Sequence, residues 1–151
     1  MLNFKICNKK TVIIGQGNKF RKDDSIGLYI SKHIKKRNNF LIISNDNSLL
    51  ENFIEMIIDF KPKLIILFDA ADFNGPPGDI RKFSIEDLIN IKNYSTHTFP
   101  VSIILNYIKE HLPEVEIIIY AIQPKDIGYG VEISNELLNA ADYIINSINN
   151  V

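Results

Sequence analysis

Three side chains with metal-ligating or acid–base chemistry sit in this chain where apolar runs give way to polar ones. Asp24 lies in the stretch 11–27, TVIIGQGNKFRKDDSIG; Asp69 closes the apolar run KLIILF at 63–68; His97, in Ser95-Thr96-His97-Thr98, precedes a helical pattern that starts at Pro100. Two carboxylates and an imidazole form a donor set suited to a divalent metal with open coordination positions. Structural roles also exist for each residue taken singly. Asp24 is of a preferred helix N-cap type. Asp69 can be satisfied by loop amides, although a charge at that depth needs a partner, and His97 can belong to a helix entry. Gly15 and Gly17 can serve a tight turn, and Asn18 a left-handed one. Their joint placement at one edge is what favours a site, and that depends on the elements between them.

The pattern alternates strands and helices. Thr11–Gly15 is apolar throughout, as in a strand covered on both faces. Asp24 or Ser25 is placed to cap a helix with Ile26, Tyr29, Ile30 and Ile34 on one face, with His33 at its edge as a packed or surface histidine. Phe40–Ser44 is a second strand. Ser48-Leu49-Leu50-Glu51 has capping-box spacing and opens a helix with the stripe Leu49, Leu50, Phe53, Ile54, Ile57 and Ile58. Lys63–Phe68 is the most apolar strand. The turn Asn74-Gly75-Pro76-Pro77-Gly78 follows, and Asp79–Phe83 returns as a short, antiparallel edge strand. Ser84–Leu88 reads as a short helix. Thr98 or Phe99 is placed to cap the helix at Pro100, which buries Val101, Ile104, Leu105 and Ile108. Val115–Ala121 is the last strand, and Ser134 caps a final helix with Leu137, Ala141, Ile144 and Ile148 at helical spacing.

This order predicts one domain over 1–151 of the α/β class. The expected architecture is three-layer α/β/α: a mostly parallel twisted sheet of about five strands with helices on both faces. Gly15–Asn18, Asp69 and Gln123 then all follow the carboxyl ends of strands, where open parallel sheets bind ligands. Asp24 and His97 are placed to meet Asp69 at that edge.

Composition narrows the function classes. The chain has 151 residues, 17 Lys and Arg against 18 Asp and Glu, and a net charge of -1. That balance argues against nucleic acid, which requires a concentrated basic surface. The cluster Lys32, Lys35, Lys36, Arg37 reads as the solvated end of a helix. No apolar run is long enough for a membrane span, and mean hydropathy is +0.01. The N-terminus, MLNFKICNKK, lacks the features of a signal peptide, so the expected location is the cytoplasm. Cys7 stands alone, which excludes a disulfide framework or a thiolate metal set.

The first loop can be compared with known ones. Gly15 and Gly17 match a dinucleotide fingerprint but the third glycine position holds Phe20, and no Gly-Lys-Ser/Thr of a phosphate loop follows. No small-molecule cofactor is expected. Peptidyl-tRNA hydrolases share Gly-x-Gly-Asn but continue with Pro-Gly, where this chain has Lys19-Phe20. A response-regulator receiver domain is a stronger rival, with Asp23, Asp24, Asp69 and Lys125 cast as its acids and lysine. That reading leaves His97 and Gly-x-Gly-Asn without a role.

The whole set of segments resembles the [NiFe]-hydrogenase maturation endopeptidases, most closely the type serving the formate-hydrogenlyase (hydrogenase 3) enzyme. The matching stretches are IIGQGNKFRKDDSIG at 13–27, LFDAADFNGPPGDIRKF at 67–83, STHTFPVSIILNYIKE at 95–110 and AIQPKDIGYG at 121–130. The resemblance implies a phosphorylase/hydrolase-like fold and a nickel-dependent, aspartic-type peptidase. Such an enzyme removes a C-terminal extension from a hydrogenase large-subunit precursor after nickel insertion. Asp24, Asp69 and His97 would be the metal and catalytic residues, and the nickel would arrive with the substrate. Gly17 and Asn18 would shape the loop, and Gln123 would line the cleft. Asp23 would be a second-sphere partner or base. Ser44-Asn45-Asp46-Asn47 departs from the family's Asp-Gly-Gly, which leaves Asp46 without a carried-over role. A non-catalytic hydrogenase chaperone is the third class. Hydrolysis would use water, since no Ser-His-Asp or Cys-His set is arranged here.

Overall fold

The structure, a computed structural model, describes residues 2–46, 49–88 and 98–151. The strands are β1 (Thr11–Gly17), β2 (Phe40–Asp46), β3 (Leu64–Ala70), β4 (Ile80–Phe83) and β5 (Glu116–Ile122). The helices are α1 (Ile26–His33), α2 (Ile54–Phe60), α3 (Ile85–Leu88), α4 (Thr98–His111) and α5 (Asn135–Asn149). Short 3-10 turns, Lys22–Ser25 and Leu50–Phe53, lead into α1 and α2. The sheet order is β2-β1-β3-β5-β4. Four strands are parallel, and β4 is antiparallel at the edge beside β5. The expected three-layer α/β architecture holds.

Both faces of the sheet are dry, and strand periodicity sorts residues between them. Ile13, Ile66, Phe68 and Tyr120 pack against α1 and α5 through Ile26, Ile30, Leu137, Ala141, Ile144 and Ile148. Val12, Ile14, Ile65, Leu67 and Ile119 face α2, α3 and α4 through Ile57, Ile85, Leu88, Val101, Leu105 and Ile108. The central strands β1 and β3 are thus buried along their whole length, as their runs of Ile, Leu and Val required.

Several local expectations change. β1 runs on to Gly17, so Gly15 and Gly17 are strand residues and not a tight turn. Their role is close approach. A Cβ on Gly15 would lie 2.1 Å from the Gly27 carbonyl oxygen, and one on Gly27 would lie 2.3 Å from the carbonyl oxygens of both Gln16 and Phe68. The start of α1 therefore rests directly on the ends of β1 and β3, where any side chain would meet backbone.

At two of the expected positions, Ser25 and Ser134, no side-chain cap forms. Ser25 is the N-cap of α1 but makes no capping bond; its hydroxyl instead donates to the Lys22 carbonyl. Ser134 occupies the N-cap of α5, yet its hydroxyl is drawn to Asp23. Thr98 is already inside α4, so the helix begins ahead of Pro100. Leu49 is exposed and does not join the buried stripe of Leu50 and Ile57; Ser48 lies outside the described residues. His33 is exposed, with Nδ1 bonded to the Tyr29 carbonyl. Ser84 and Asp87 do form a reciprocal cap at the start of α3.

The topology weakens the receiver reading. Receivers have the flavodoxin-like strand order 2-1-3-4-5. Here the fourth strand in the chain is an antiparallel edge strand outside the fifth.

Candidate carboxylate site at the sheet edge

In β3 the side chains of Ile65 and Leu67 point to the layer of α2 and α4, so period-two alternation sends Asp69 to that same face. The register pairs Gly15 with Phe68. One residue further along each strand, Gln16 and Asp69 are neighbours, and Asn45 pairs with Gln16 from β2. Gln16 Oε1 accepts a bond of 2.8 Å from Asn45 Nδ2, with both residues buried. A polar row therefore crosses the carboxyl edge of an otherwise apolar sheet. The chain between β3 and β5 must return to the starting edge for a parallel strand, so α4 begins at this carboxyl edge and packs on the face that carries Asp69.

Asp24 comes to the edge on the 3-10 turn after β1. Gly17 sets its approach: a Cβ there would lie 2.2 Å from the Asp24 carbonyl oxygen. The Asn18 amide donates to that carbonyl at 3.2 Å, and the Asp24 amide donates to Arg21 at 3.0 Å. Asn18 does not use a left-handed backbone. Its side chain instead accepts from the Phe20 amide at 2.9 Å, closing an Asx turn. Gly17 and Asn18 thus fix the loop that carries Asp24.

Asp24 and Asp69 are both buried, at 7% and 2% exposure, and near enough to interact as like charges. Burial pushes the Asp69 carboxyl well above the ordinary carboxylate range, and the Asp24 charge pushes it further; the Ala70 amide offsets only part of this. Two carboxylates so arranged take up either a shared proton or a cation. Among the described residues, no group of three or more His, Cys, Asp or Glu side chains is placed to hold a metal. His97 lies outside the described residues.

Asp23, by contrast, is a structural anchor. It is completely buried, and Oδ2 accepts from the amides of Lys125 and Asp126 and from Ser134 Oγ, at 2.9, 2.9 and 2.8 Å. Oδ1 accepts from the Ser134 amide at 2.7 Å. Burial alone would raise its pKa, but these four donors outweigh it and hold the carboxyl below its usual value. Asp23 therefore ties the first loop to residues 125–134 and has little lone-pair capacity left for a metal or proton.

Gln123 is likewise committed to a neighbouring loop. Its Oε1 accepts from the Phe73 and Gly75 amides, at 2.9 and 3.1 Å, and Nε2 donates to Asp72 at 3.1 Å. Lys125 pairs with Glu136 at 2.9 Å, not with Asp69 as a receiver lysine would. Asp46 pairs with Lys19 at 3.4 Å. The Gln16 and Asn45 pair was missed in the sequence. Its signal was there: two amide side chains at the ends of adjacent apolar strands, where burial demands a partner.

Comparison with known proteins agrees with this fold. The sequence profile of the HycI hydrogenase maturation protease family matches residues 29–151. A Methanocaldococcus jannaschii protein named "Putative hydrogenase maturation protease" is 33% identical over 160 residues, covering 98% of this chain and 92% of the relative. The hydrogenase 3 maturation protease of Escherichia coli is 26% identical over 135 residues, covering 88% of this chain and 85% of its own. The crystal structure of the [NiFe] hydrogenase maturation protease HycI from Thermococcus kodakarensis superposes with a TM-score of 0.80 at 28% identity, covering 95% of this chain and 93% of that one. With an edge carboxylate pair on a matching fold, and a family profile spanning most of its length, the chain belongs to the HycI family of hydrogenase maturation proteases.

Proposed function

We propose that this protease removes the C-terminal extension of a [NiFe]-hydrogenase large-subunit precursor after nickel insertion. On this reading Asp24, Asp69 and His97 hold the nickel that the precursor carries. The observation that carries it is the buried, mutually repelling pair of Asp24 and Asp69 at the carboxyl edge of the sheet. Such a pair is stabilised by a cation, and carboxylate with imidazole is a donor set compatible with divalent nickel. His97 immediately precedes α4 in the chain, and α4 starts at the same edge on the same face.

The precursor's nickel supplies positive charge beside the scissile carbonyl, which favours attack by water. The protein's own groups do the rest. In the free enzyme burial and Asp24 both oppose ionisation of Asp69. A cation held by the pair would offset that repulsion and favour the carboxylate, which would then orient and deprotonate the attacking water. Cys7, the chain's only cysteine, is exposed on the N-terminal segment and takes no part.

The test is precursor mass before and after mixing with purified protein, with and without nickel in the precursor. Shortening only of the nickel-loaded form is the expected result. Binding without shortening would assign the chain a chaperone role, and labelling of Asp69 by acetyl phosphate with magnesium would revive the receiver reading.

A further inference from the structure

A groove of about 300 Å³ runs along the outer face of α1, beginning at Ser25, the residue after Asp24, and ending at Lys32 and His33. Leu28 and Tyr29 form its floor, and Phe20 and Val131 stand at its lips. We propose that this groove receives the stretch of substrate polypeptide adjoining the scissile bond. An apolar side chain lies between Phe20 and Val131, and an acidic group meets Lys32 and His33. The proposal rests on the peptidase reading above and adds to it where and by what chemistry the polypeptide is gripped.

Three observations carry it. The first is the character of the lips. Phe20 is 57% exposed and Val131 72%, with Tyr129 beside them at 91%. Large apolar side chains so exposed on loop tips mark a contact surface when they cluster. These loops are also bound to one another. The Gly130 amide donates to the Phe20 carbonyl at 2.8 Å, the Lys22 amide to Gly130 at 3.0 Å, and the Asp23 amide to Asp126 at 3.1 Å. Arg21 Nε reaches the Ile127 carbonyl, and the Asp23 carboxylate takes four donors from the second loop. The apolar lips are therefore presented on a preorganised frame, which lowers the ordering cost of docking.

The second observation is charge. Lys19, Lys32 and His33 line the groove and no acidic residue does. Lys19 is shared with Asp46, whereas Lys32 has no ion pair among the described residues. His33 has committed Nδ1 to the Tyr29 carbonyl, so Nε2 is the nitrogen left to meet a carboxyl. The complement of this rim is an acidic chain segment.

The third is continuity and length. The anchor residue Asp23 and the site residue Asp24 are adjacent, so the frame holding the lips also positions the Asp24 arm of the carboxylate pair. The eight residues of α1 span about 12 Å, the reach of roughly four residues of extended peptide. A chain leaving the carboxylate site along α1 thus passes the apolar lips first and the basic end last.

The experiment uses the nickel-loaded precursor and the full-length enzyme. Phe20→Ala with Val131→Ser, both at exposed positions, is expected to raise KM about tenfold or more, with the loss in KM rather than in kcat. Lys32→Glu raises it in the same sense. A benzoylphenylalanine installed at position 131 of the cleavage-deficient Asp69→Asn enzyme should crosslink to the precursor segment that adjoins the cleaved bond. The same probe in place of Tyr107, exposed on α4 in the opposite layer, should not. If the wild type cleaves the precursor but the double variant keeps its KM, or the crosslink maps to another part of the precursor, the groove proposal is overturned and the peptidase reading stands. If the wild type neither cleaves nor binds the precursor, the peptidase reading fails first and takes the groove's occupant with it.

Discussion

The anchor at Asp23 and the pair formed by Asp24 and Asp69 are built from one residue type, with Asp23 and Asp24 adjacent in the chain, and the electrostatics of Asp23 and Asp69 run in opposite directions. Asp23 is buried among four hydrogen-bond donors, and its ionised form is favoured by the fold. Asp69 is buried beside another carboxylate, and its ionised form is opposed by the fold. Burial alone therefore does not mark a functional acid. What separates the two is whether the surroundings favour the ionised form, as four donors do at Asp23, or oppose it, as burial and Asp24 do at Asp69. The first arrangement stabilises the fold, and on the function proposed above the second is the one a ligand would relieve.

The sharpest way to break this contrast is to remove the charges on each side. Asp24→Ala, Asp69→Ala and His97→Ala should each reduce cleavage of nickel-loaded precursor by about a thousandfold or more, while circular dichroism shows a folded chain. Full cleavage by all three would end the metal-site account. Asp23→Ala should instead act on stability. Four donors in part-buried bonds lose their acceptor, and urea denaturation should show a loss of about 2–4 kcal/mol. A stable but inactive Asp23→Ala protein would put Asp23 on the chemical side of the comparison.

Gly27→Ala tests the frame beneath both regions. Its Cβ would collide with two carbonyl oxygens that belong to strands, so a destabilisation of at least about 2 kcal/mol is expected by chemical denaturation. A neutral result would mean that α1 can lift from the sheet without consequence.

Smaller, and opposite in sign, is Asp69→Asn. It should raise the Tm of the metal-free protein by about 2–5 °C at neutral pH, because it removes a charge the fold disfavours.

The pH dependence sharpens the same point. Native Asp23 binds fewer protons than the unfolded chain at acid pH. Its stabilisation is present above the ordinary carboxylate value and is lost as pH falls through its depressed one. Native Asp69 binds more protons, so stability falls as pH rises from the ordinary value towards its raised one. The stability difference between wild type and Asp23→Asn should therefore shrink on acidification. The gain from Asp69→Asn should grow as pH rises above about 4. Parallel curves for the two variants, measured by denaturation across pH, would show that the carboxylates share one environment.

Much of the architecture was legible in the chain. Unbroken apolar runs such as KLIILF demand cover on both faces, and the two cores supply it. Asp79–Phe83, short and polar after a Pro-Gly turn, read correctly as an antiparallel edge strand. The positions of Asp24 and Asp69 at the carboxyl edge followed from element order, because every parallel strand must deliver its following loop to the same side. The helix caps were not legible. Ser134 has the right type and position for capping, but Asp23 competes for its hydroxyl from more than a hundred residues away. A local rule cannot register a distant carboxylate.

The glycines show the same division. That Gly15, Gly17 and Gly27 lie in the first loop region was plain from the sequence. Their purpose, bringing the start of α1 into contact with β1 and β3, depends on backbone from three elements. The sequence by itself determined which face of each element is apolar, the order of strands and helices along the chain, and the edge at which the acids emerge. These follow from periodicity and chain direction, which are local properties. Only the tertiary structure decided which of two adjacent aspartates is ringed by donors from a distant loop and which lies near a second carboxylate. That depends on donors contributed by residues 125, 126 and 134 to one carboxylate and on the approach of residue 69 to the other, and such through-space pairings have no signature in the spacing of the residues that make them.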